Sequence, residues 1–232
     1  TAILALRQYG AKEILDKIGA DATGLPFNSI IAILLENDHP STPLVNAGAI
    51  SACSMVKPIG DSAKKWDAIV GNVTDLCGSA PQLIDELYKS ESDTNFNNRS
   101  IAWLLKNYNR IYDDPDMSLD LYTRQCSLGV TALQLSIAAG TIANGGVYEK
   151  PVFYTKITDH DGNVLIDNTE AYSRTVLKDS TAWLLTSAMQ DVVTKGTGKA
   201  VNFSGMSVAG KTGTTSDNRD VWFVGYTPYY TA

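Results

Sequence analysis

The sequence predicts a mixed α/β (α+β) fold, in which a helical subdomain precedes a region of antiparallel strands. Apolar residues recur at three- and four-residue spacing through residues 1–147, as amphipathic helices require. In residues 148–232 the pattern changes to short β-branched and aromatic runs between turn residues, which favours strands. The 232 residues, 44% hydrophobic and 19% charged, suffice to bury a sizeable core. We therefore expect one continuous fold built from the two regions.

Glycine and proline mark where the helices of the first region begin and end. Gly10 and Gly19 follow the first two apolar runs. Pro81 opens a later run, and Gly145 and Gly146 end the last one. The predicted helices cover residues 3–6, 14–18, 81–88, 99–106 and 131–143.

The second region predicts a β-hairpin, one helix and two closing strands. Val152–Ile157 and Val164–Ile166 flank Asp159–Gly162, a segment of turn-forming residues. The remaining predicted elements are a helix at about 179–193 and strands at 207–213 and 221–226.

Charge and hydropathy exclude several classes of partner. The net charge is −6 without a block of like charges, so no nucleic-acid partner is predicted. No apolar run approaches the roughly 18–20 residues of a membrane-spanning helix. No basic-then-apolar leader opens the chain, so we expect neither an anchor nor a signal peptide in this stretch. The start at Thr1 rather than at a methionine indicates that a segment has been trimmed.

The cysteines and histidines are few and widely spaced, which predicts no metal and no other cofactor. Cys53, Cys77 and Cys126 form no C-x-x-C pair, and His39 and His160 form no metal-binding pair. The odd cysteine count disfavours a disulfide framework, and three small buried or half-buried thiols are expected instead. Because neither histidine suits a Ser-His-Asp triad, a hydrolase of this sequence would use lysine or tyrosine as its base.

The string Val208–Thr215 has two alternative interpretations. Through Gly205, Gly210, Lys211 and Thr212 it satisfies the P-loop pattern of nucleotide-binding proteins. A P-loop needs a helix that starts at the lysine, so that backbone N–H groups face phosphate. The β-branched and aromatic residues that follow predict strand–turn–strand instead, and this disfavours a nucleotide site.

On a strand beside a cleft, the same string suits acyl transfer. Lys211 supplies a positive charge, Thr212 and Thr214 supply hydroxyls, and Gly213 leaves room for a substrate to approach the backbone. The string resembles the Lys-Thr-Gly-Thr motif of penicillin-binding proteins. Residues 148–232 are similar to their class A transpeptidases. The resemblance implies that Lys211 and Thr212 are catalytic, and that Gly213 and Thr214 bind substrate.

The first 147 residues resemble a second family, the serine-dependent glutaminases. The blocks that carry this resemblance are Gly24–Ser29, Pro43–Ile50, Ser90–Arg99 and Leu119–Ser127. Both families have the serine β-lactamase/transpeptidase-like fold, so the resemblance implies a helical subdomain plus an incomplete antiparallel sheet. A chimera with a junction near residues 139–147 is one explanation of the two resemblances.

The glutaminase pattern implies four substrate-binding residues, which are Asn46, Glu91, Asn98 and Tyr122. The carboxylate of Glu91 suits an α-ammonium group, and the two asparagine amides suit a carboxylate or a carboxamide. Tyr122 would donate a hydrogen bond near the reacting carbonyl. We expect Lys211, Thr212 and Thr214 to face a groove whose opposite wall carries these four residues.

The nucleophile is the missing part of the pattern. Both families use a Ser-x-x-Lys motif, which in the glutaminase register falls just upstream of Thr1. Ser54–Lys57 and Ser62–Lys65 have the same spacing, but glutaminases carry a non-catalytic copy at the first position. We therefore expect Ser54 to point away from Lys211. Ser216–Asn218 has the letters of a further transpeptidase motif but follows Lys211, in the wrong order.

Amide hydrolysis by serine acyl transfer, with glutamine as the substrate, is the main functional hypothesis. One alternative is peptidoglycan D,D-transpeptidation, with a stem peptide or a β-lactam as the ligand. Another is a non-catalytic fragment or an engineered fusion. A glutaminase-like protein would be cytoplasmic, whereas a penicillin-binding one would lie outside the cytoplasm.

The 232 residues alone are expected to be catalytically silent and to self-associate. Loss of both serine and lysine removes many orders of magnitude in rate, and unpaired strand edges favour association. Glutamine hydrolysis, covalent penicillin uptake and size in solution measure this directly. Robust turnover by a monomer would contradict it.

Overall fold

A computed structural model describes residues 1–21, 23–215 and 219–232. These residues form two compact units. The first unit comprises residues 1–74 and 80–131, and the second comprises 75–79 and 132–232. The predicted change of family resemblance at residue 147 falls within the second unit and stays a prediction. Among the described residues, no helix has both the length and the apolar character needed to cross a bilayer.

Helices dominate the first unit, as predicted for the helical subdomain. The helices that begin in the described part of this unit are α1 (Ala2–Tyr9), α2 (Ala11–Lys17), α3 (Ile30–Leu35), α4 (Asn46–Met55), α5 (Ser62–Cys77), α6 (Asp85–Thr94), α7 (Phe96–Asn107) and α8 (Pro115–Cys126). The predicted runs at 3–6 and 99–106 lie in α1 and α7, and the run at 14–18 lies in α2 except for Ile18, which follows its last residue.

Local capping explains where two of these helices start. The hydroxyl of Ser29 accepts the N–H of Ala32 at 3.2 Å at the start of α3. The carboxylate of Asp114 accepts the N–H of Met117 at 2.7 Å, and Pro115 occupies the first turn of α8.

The helix predicted at 81–88 begins later than expected. Gln82–Leu83 is a short strand, β1, paired antiparallel with β2 (Leu128–Gly129). The N–H of Ile84 donates to Ser127 O at 3.0 Å, which extends the pairing by one residue. Backbone bonds to a segment over 40 residues away thus replace the first helical turn, so α6 starts at Asp85.

Helix α4 is buried over most of its surface. Its small residues let neighbouring backbone approach closely, since a Cβ on Gly48 would lie 1.9 Å from Thr42 O. Ala47 and Ile50 join a core with residues of α7 and α8. Helix α4 is therefore the centre around which the first unit packs.

The hydroxyl groups on this buried helix are satisfied internally. Ser51 Oγ donates to Arg110 O at 2.7 Å, and Ser54 Oγ donates to Ser51 O at 2.6 Å. Ser54 Oγ also accepts the N–H of Tyr112 at 3.0 Å. These bonds join α4 to the chain segment that follows α7.

A buried ion pair lies at the carboxyl end of α4. Lys65, whose side chain is 0% exposed, pairs with Asp113 and donates to Ser54 O at 3.0 Å. The Asp113 carboxylate also accepts the N–H groups of Gly60 and Asp114, each at 2.9 Å. Burial alone would raise the pKa of Asp113, but the hydrogen bonds from Lys65 and Gly60 hold that pKa below its ordinary value of 3.8.

In the second unit, α-helices pack against short antiparallel strand pairs. Its described elements are α9 (Ala132–Ala143), β3 (Val147–Glu149), β4 (Lys156–Thr158), β5 (Val164–Asp167), β6 (Ser173–Thr175), α10 (Asp179–Thr194), β7 (Ala209–Thr214) and β8 (Val221–Tyr226). The strands pair as β3–β6, β4–β5 and β7–β8. Helix α10 packs on β7, and α9 packs on β8.

The predicted hairpin forms, but its first strand is Lys156–Thr158 rather than Val152–Ile157. The predicted end of α9 before Gly145 and Gly146 is confirmed. In the turn between β4 and β5, the carboxylate of Asp159 accepts the N–H groups of Asp161 and Asn163. After α9 the chain turns at Gly146, where φ is +89° and a Cβ would lie 2.6 Å from Leu177 O. Glycine is required there on both grounds.

Replacing Lys65 by methionine should lower the free energy of unfolding by about 3–5 kcal/mol, because Asp113 is left buried without its cation. Lys64→Met, at the exposed neighbour, should change it by under about 1 kcal/mol. Urea denaturation at neutral pH measures both. A double variant, Lys65→Met with Asp113→Leu, should recover much of the loss.

The same pair predicts the acid dependence of stability. Because the folded pKa of Asp113 is depressed, its contribution is present above 3.8 and is lost as the pH falls through the folded value. Stability should therefore fall less steeply with acid in Lys65→Met than in the parent. Equal effects of the Lys64 and Lys65 substitutions would contradict this account.

Candidate active site

Two of the four residues implied to bind substrate are in direct contact. Asn46, the first residue of α4, donates its side-chain Nδ2–H to Oδ1 of Asn98 on α7, at 2.8 Å. The two residues are 52 positions apart in the chain, and both are half-buried.

Tyr122 lies on α8 against the core that α4 and α7 share. Its hydroxyl donates a hydrogen bond to the sulfur of Cys126. Burial is the main reason why the pKa of Tyr122 is raised far above its ordinary value, and the negative charges of Cys126 and Glu91 add to the effect. The phenol therefore keeps its proton and stays a hydrogen-bond donor.

Glu91 lies on α6 and is exposed. Its carboxylate is close enough to raise the pKa values of both Tyr122 and Cys126. Glu91 thus acts on Tyr122 and Cys126 through its electrostatic field.

Cys126 lies beside Tyr122 and is exposed, so the expectation of a buried or half-buried thiol is wrong for this residue. Desolvation of its thiol by the surrounding protein still raises its pKa to about 11, so the thiol is protonated at neutral pH. It lies one helical turn after Tyr122, and this i,i+4 spacing was the signal that could have joined them.

Ser54 has a structural role in the described fold. Its hydroxyl is buried and bonded to Ser51 and Tyr112. The ammonium group of Lys57 instead lies over the ring of Tyr9, 4.3 Å from its centroid. Lys65, from the second alternative motif, is used in the buried ion pair. Neither Ser-x-x-Lys copy therefore has the arrangement of a nucleophile and its base.

Lys211 lies within strand β7, as expected, and not at the start of a helix. The P-loop alternative is therefore wrong, because no helical N–H groups follow the lysine to receive phosphate. Lys211 pairs with Val224 of β8 in the antiparallel register. Its ammonium group donates to Thr212 O at 2.8 Å, and burial lowers its pKa.

The neighbouring residues of β7 differ in how tightly they are held. The hydroxyls of Thr212 and Thr197 are 2.7 Å apart, whereas Thr214 is exposed. A Cβ on Gly213 would meet Trp222 only at an ordinary 3.5 Å. Gly210 is the sterically constrained glycine, since its Cβ would lie 2.3 Å from the Phe223 ring. Ser216–Asn218 lies outside the described residues.

Comparison with known proteins shows which protein family this chain is similar to. A sequence model described as Glutaminase matches residues 1–189. A glutaminase of Bacteroides thetaiotaomicron is 92% identical over 159 residues, which cover 68% of this chain and 49% of that protein. A glutaminase of Parabacteroides distasonis is 83% identical over 161 residues, covering 68% and 50%.

Solved structures agree with the sequence comparison. A probable glutaminase, ybaS, aligns with a TM-score of 0.75 at 31% identity, over 99% of this chain and 65% of that chain. A probable glutaminase of Bacillus subtilis aligns with a TM-score of 0.72 at 22% identity, over 97% and 70%. The fold is therefore the serine β-lactamase-like fold that glutaminases share.

The chain belongs to the glutaminase family. The resemblance found in the first 147 residues is confirmed, and the family match continues past residue 147 to residue 189. The chain spans about half the length of the curated relatives that it matches.

The phenol of Tyr122 should ionise only well above its ordinary pKa of 10.0, because burial and nearby negative charge oppose the phenolate. A pH titration of ring-labelled tyrosines by NMR measures this, with Tyr122→Phe assigning the resonance. Cys126→Ala should lower the titration midpoint, and Thr94→Ala on α6 should leave it unchanged. A Tyr122 midpoint at or below 10.0 would contradict the described environment.

Proposed function

We propose that this chain forms the amino-acid-binding part of an enzyme that hydrolyses glutamine to glutamate and ammonia. The observation that carries the proposal is the Asn46–Asn98 contact, next to the α8 helix that bears Tyr122, in a chain of the glutaminase family. The relatives named above are glutaminases, which supports glutamine as the substrate.

Each side chain has a distinct task in this proposal. The exposed carboxylate of Glu91 pairs with the α-ammonium group of the substrate. Asn46 and Asn98 present amide groups to its carboxylate or carboxamide. Because their mutual hydrogen bond already fixes both side chains, little conformational entropy is lost when the substrate binds.

Tyr122 serves as a neutral donor in the proposed reaction, once its single O–H turns from the Cys126 sulfur to the substrate. Charge develops on the carbonyl oxygen when an amide is attacked, and a donor fixed near that oxygen stabilises the transition state. The raised pKa of Tyr122 keeps its proton available over the whole physiological pH range. A phenolate at the same place would repel the developing charge.

Lys211 and Thr212 are proposed as catalytic residues, and Gly213 and Thr214 as substrate-binding ones. The support for these roles comes from the immediate surroundings of Lys211 and Thr212. Burial lowers the pKa of Lys211, which makes its ammonium group a better proton donor than an exposed lysine, and the Thr212 hydroxyl is held by Thr197. Neither of the two Ser-x-x-Lys copies described above is arranged as a nucleophile with its base. The experiment below therefore measures binding and not turnover.

A second candidate function is acyl transfer on a peptidoglycan stem peptide or a β-lactam. The observation that favours it is the strand geometry of Lys211–Thr214, which suits a substrate that adds to a sheet. This candidate goes with the proposal that residues 148–232 derive from a penicillin-binding protein. Covalent labelling by a fluorescent penicillin would support it.

Self-association also remains a proposal. Val221 and Trp222 at the start of β8 are exposed, and an apolar strand segment of this kind favours pairing with another chain. Sedimentation across a range of concentrations measures the oligomeric state.

Calorimetric titration of the 232-residue chain with L-glutamine and L-glutamate tests the main proposal. Glu91→Gln and Asn98→Ala should each weaken binding by about tenfold or more, because a charge-assisted or buried hydrogen bond is lost. Asp93→Asn, a neighbouring acidic position on α6, is the matched control and should bind like the parent. Equal affinity of the Glu91 and Asp93 variants would overturn the assignment. Penicillin labelling without amino-acid binding would favour the second candidate, and silence in both assays would favour a non-catalytic fragment.

A further inference from the structure

Two adjacent asparagines on α7 contact different parts of the chain. Asn98 accepts the side-chain N–H of Asn46, as described above. Asn97 donates its Nδ2–H to the backbone carbonyl of Asn28, at 2.7 Å. Asn28 belongs to the loop 24–28 that precedes α3, so one turn of α7 holds both α4 and this loop.

The loop carbonyl next to Asn28 is bonded to Asn46. The backbone N–H of Asn46 donates to Phe27 O at 2.9 Å. Asn46 is therefore fixed twice, through its side chain by Asn98 and through its backbone by Phe27. Asn97 supports the backbone contact between Asn46 and Phe27, because it binds the carbonyl of Asn28, the residue after Phe27.

The start of α4 needs this carbonyl. The first N–H groups of a helix have no partner within the helix, and a capping side chain normally satisfies some of them. Val45 precedes Asn46 and provides no side-chain oxygen. The carbonyl of Phe27 therefore takes the place of a cap at the end of α4 that carries Asn46.

Hydrogen bonds hold this loop more than packing does. The Phe27 side chain is 59% exposed, so its ring contributes little burial. At the end of the loop, the N–H of Ser29 donates to Pro26 O at 3.0 Å and forms a turn before α3. The bond from Asn97 is the link that ties the centre of this turn to α7.

We infer that Asn97 is a positioning residue for the amino-acid site, which acts through the loop 24–28 to hold Asn46. Its role in substrate binding rests on the proposed function, whereas its effect on Asn46 does not. The side-chain hydrogen bond described for Asn97 goes to Asn28 and not to Asn46. Loss of its amide donor frees the loop, so the Phe27 carbonyl moves away from the Asn46 N–H and the side chain of Asn46 becomes less ordered.

The test uses variants that separate the hydrogen bond from the volume of the side chain. Asn97→Asp keeps the shape but removes the N–H donor, and Asn97→Gln keeps the donor on a longer side chain. Ser100→Ala is the control on the same helix, because the Ser100 hydroxyl bonds only to the local Phe96 O, at 3.0 Å. Urea denaturation of each variant detects any general loss of stability.

The first readout is hydrogen exchange of the Asn46 backbone amide without ligand. Asn97→Asp should accelerate this exchange about five- to tenfold, the effect of losing one net hydrogen bond. Asn97→Gln should restore much of the protection, and Ser100→Ala should not change it. Unchanged exchange in Asn97→Asp, or acceleration that only matches a global loss of stability, would overturn the inference.

The second readout is the dissociation constant for L-glutamate. Asn97→Asp should weaken binding by a factor similar to the change in exchange, while Asn97→Gln binds more tightly than Asn97→Asp. If the parent chain does not bind L-glutamate, the proposed function fails while the exchange data still decide the positioning of Asn46. If the parent binds and Asn97→Asp binds equally well, the role of Asn97 in the site is wrong.

Discussion

The burial of α4 is the constraint on which the first unit depends. A helix surrounded by protein cannot leave its polar groups to water, so each must find a partner inside the fold. At the carboxyl end, Ser54 and its carbonyl are satisfied by Tyr112 and by Lys65. Lys65 in turn needs Asp113, because an isolated buried cation is too costly. One buried helix thus fixes the positions of α5 and of the segment after α7.

The same constraint shapes the candidate site at the other end of α4. The amide N–H of Asn46 is satisfied by the Phe27 carbonyl, and its side chain by Asn98. These partners leave Asn46 with a fixed orientation before any ligand is present. Tyr122 packs on the same core. The hydrogen-bonding side chains of the candidate site are therefore held in place by packed helices.

The sequence predicted elements whose signal is local. Helices α1, α2 and α10 follow from apolar spacing and from the glycines that come after them, whereas α7 follows from apolar spacing alone. The β4–β5 hairpin follows from its turn residues. Helix α4 gave no such signal, because its small and apolar residues surround the whole helix and have no preferred face. The strand at Gln82–Leu83 was missed because a distant partner, not local propensity, determines it.

The sequence likewise identified residues of the candidate site but could not predict the contacts between them. Resemblance to glutaminases identified Asn46, Glu91, Asn98 and Tyr122 by motif. It could not predict the bond between Asn46 and Asn98, since contacts between residues 52 positions apart depend on packing. The buried role of Lys65 was missed for a similar reason, because its partner Asp113 lies far along the chain.

The central claim is that the helices around α4 present a preformed site for an amino acid. A crystal structure of this chain with L-glutamate tests it most directly. The account predicts the α-ammonium group against Glu91, oxygens of the ligand against Asn46 and Asn98, and the Tyr122 hydroxyl beside the side-chain carboxyl. The Asn46–Asn98 pair should be in place with and without ligand. Glutamate bound elsewhere, or an Asn46–Asn98 pair that forms only with ligand, would contradict the claim.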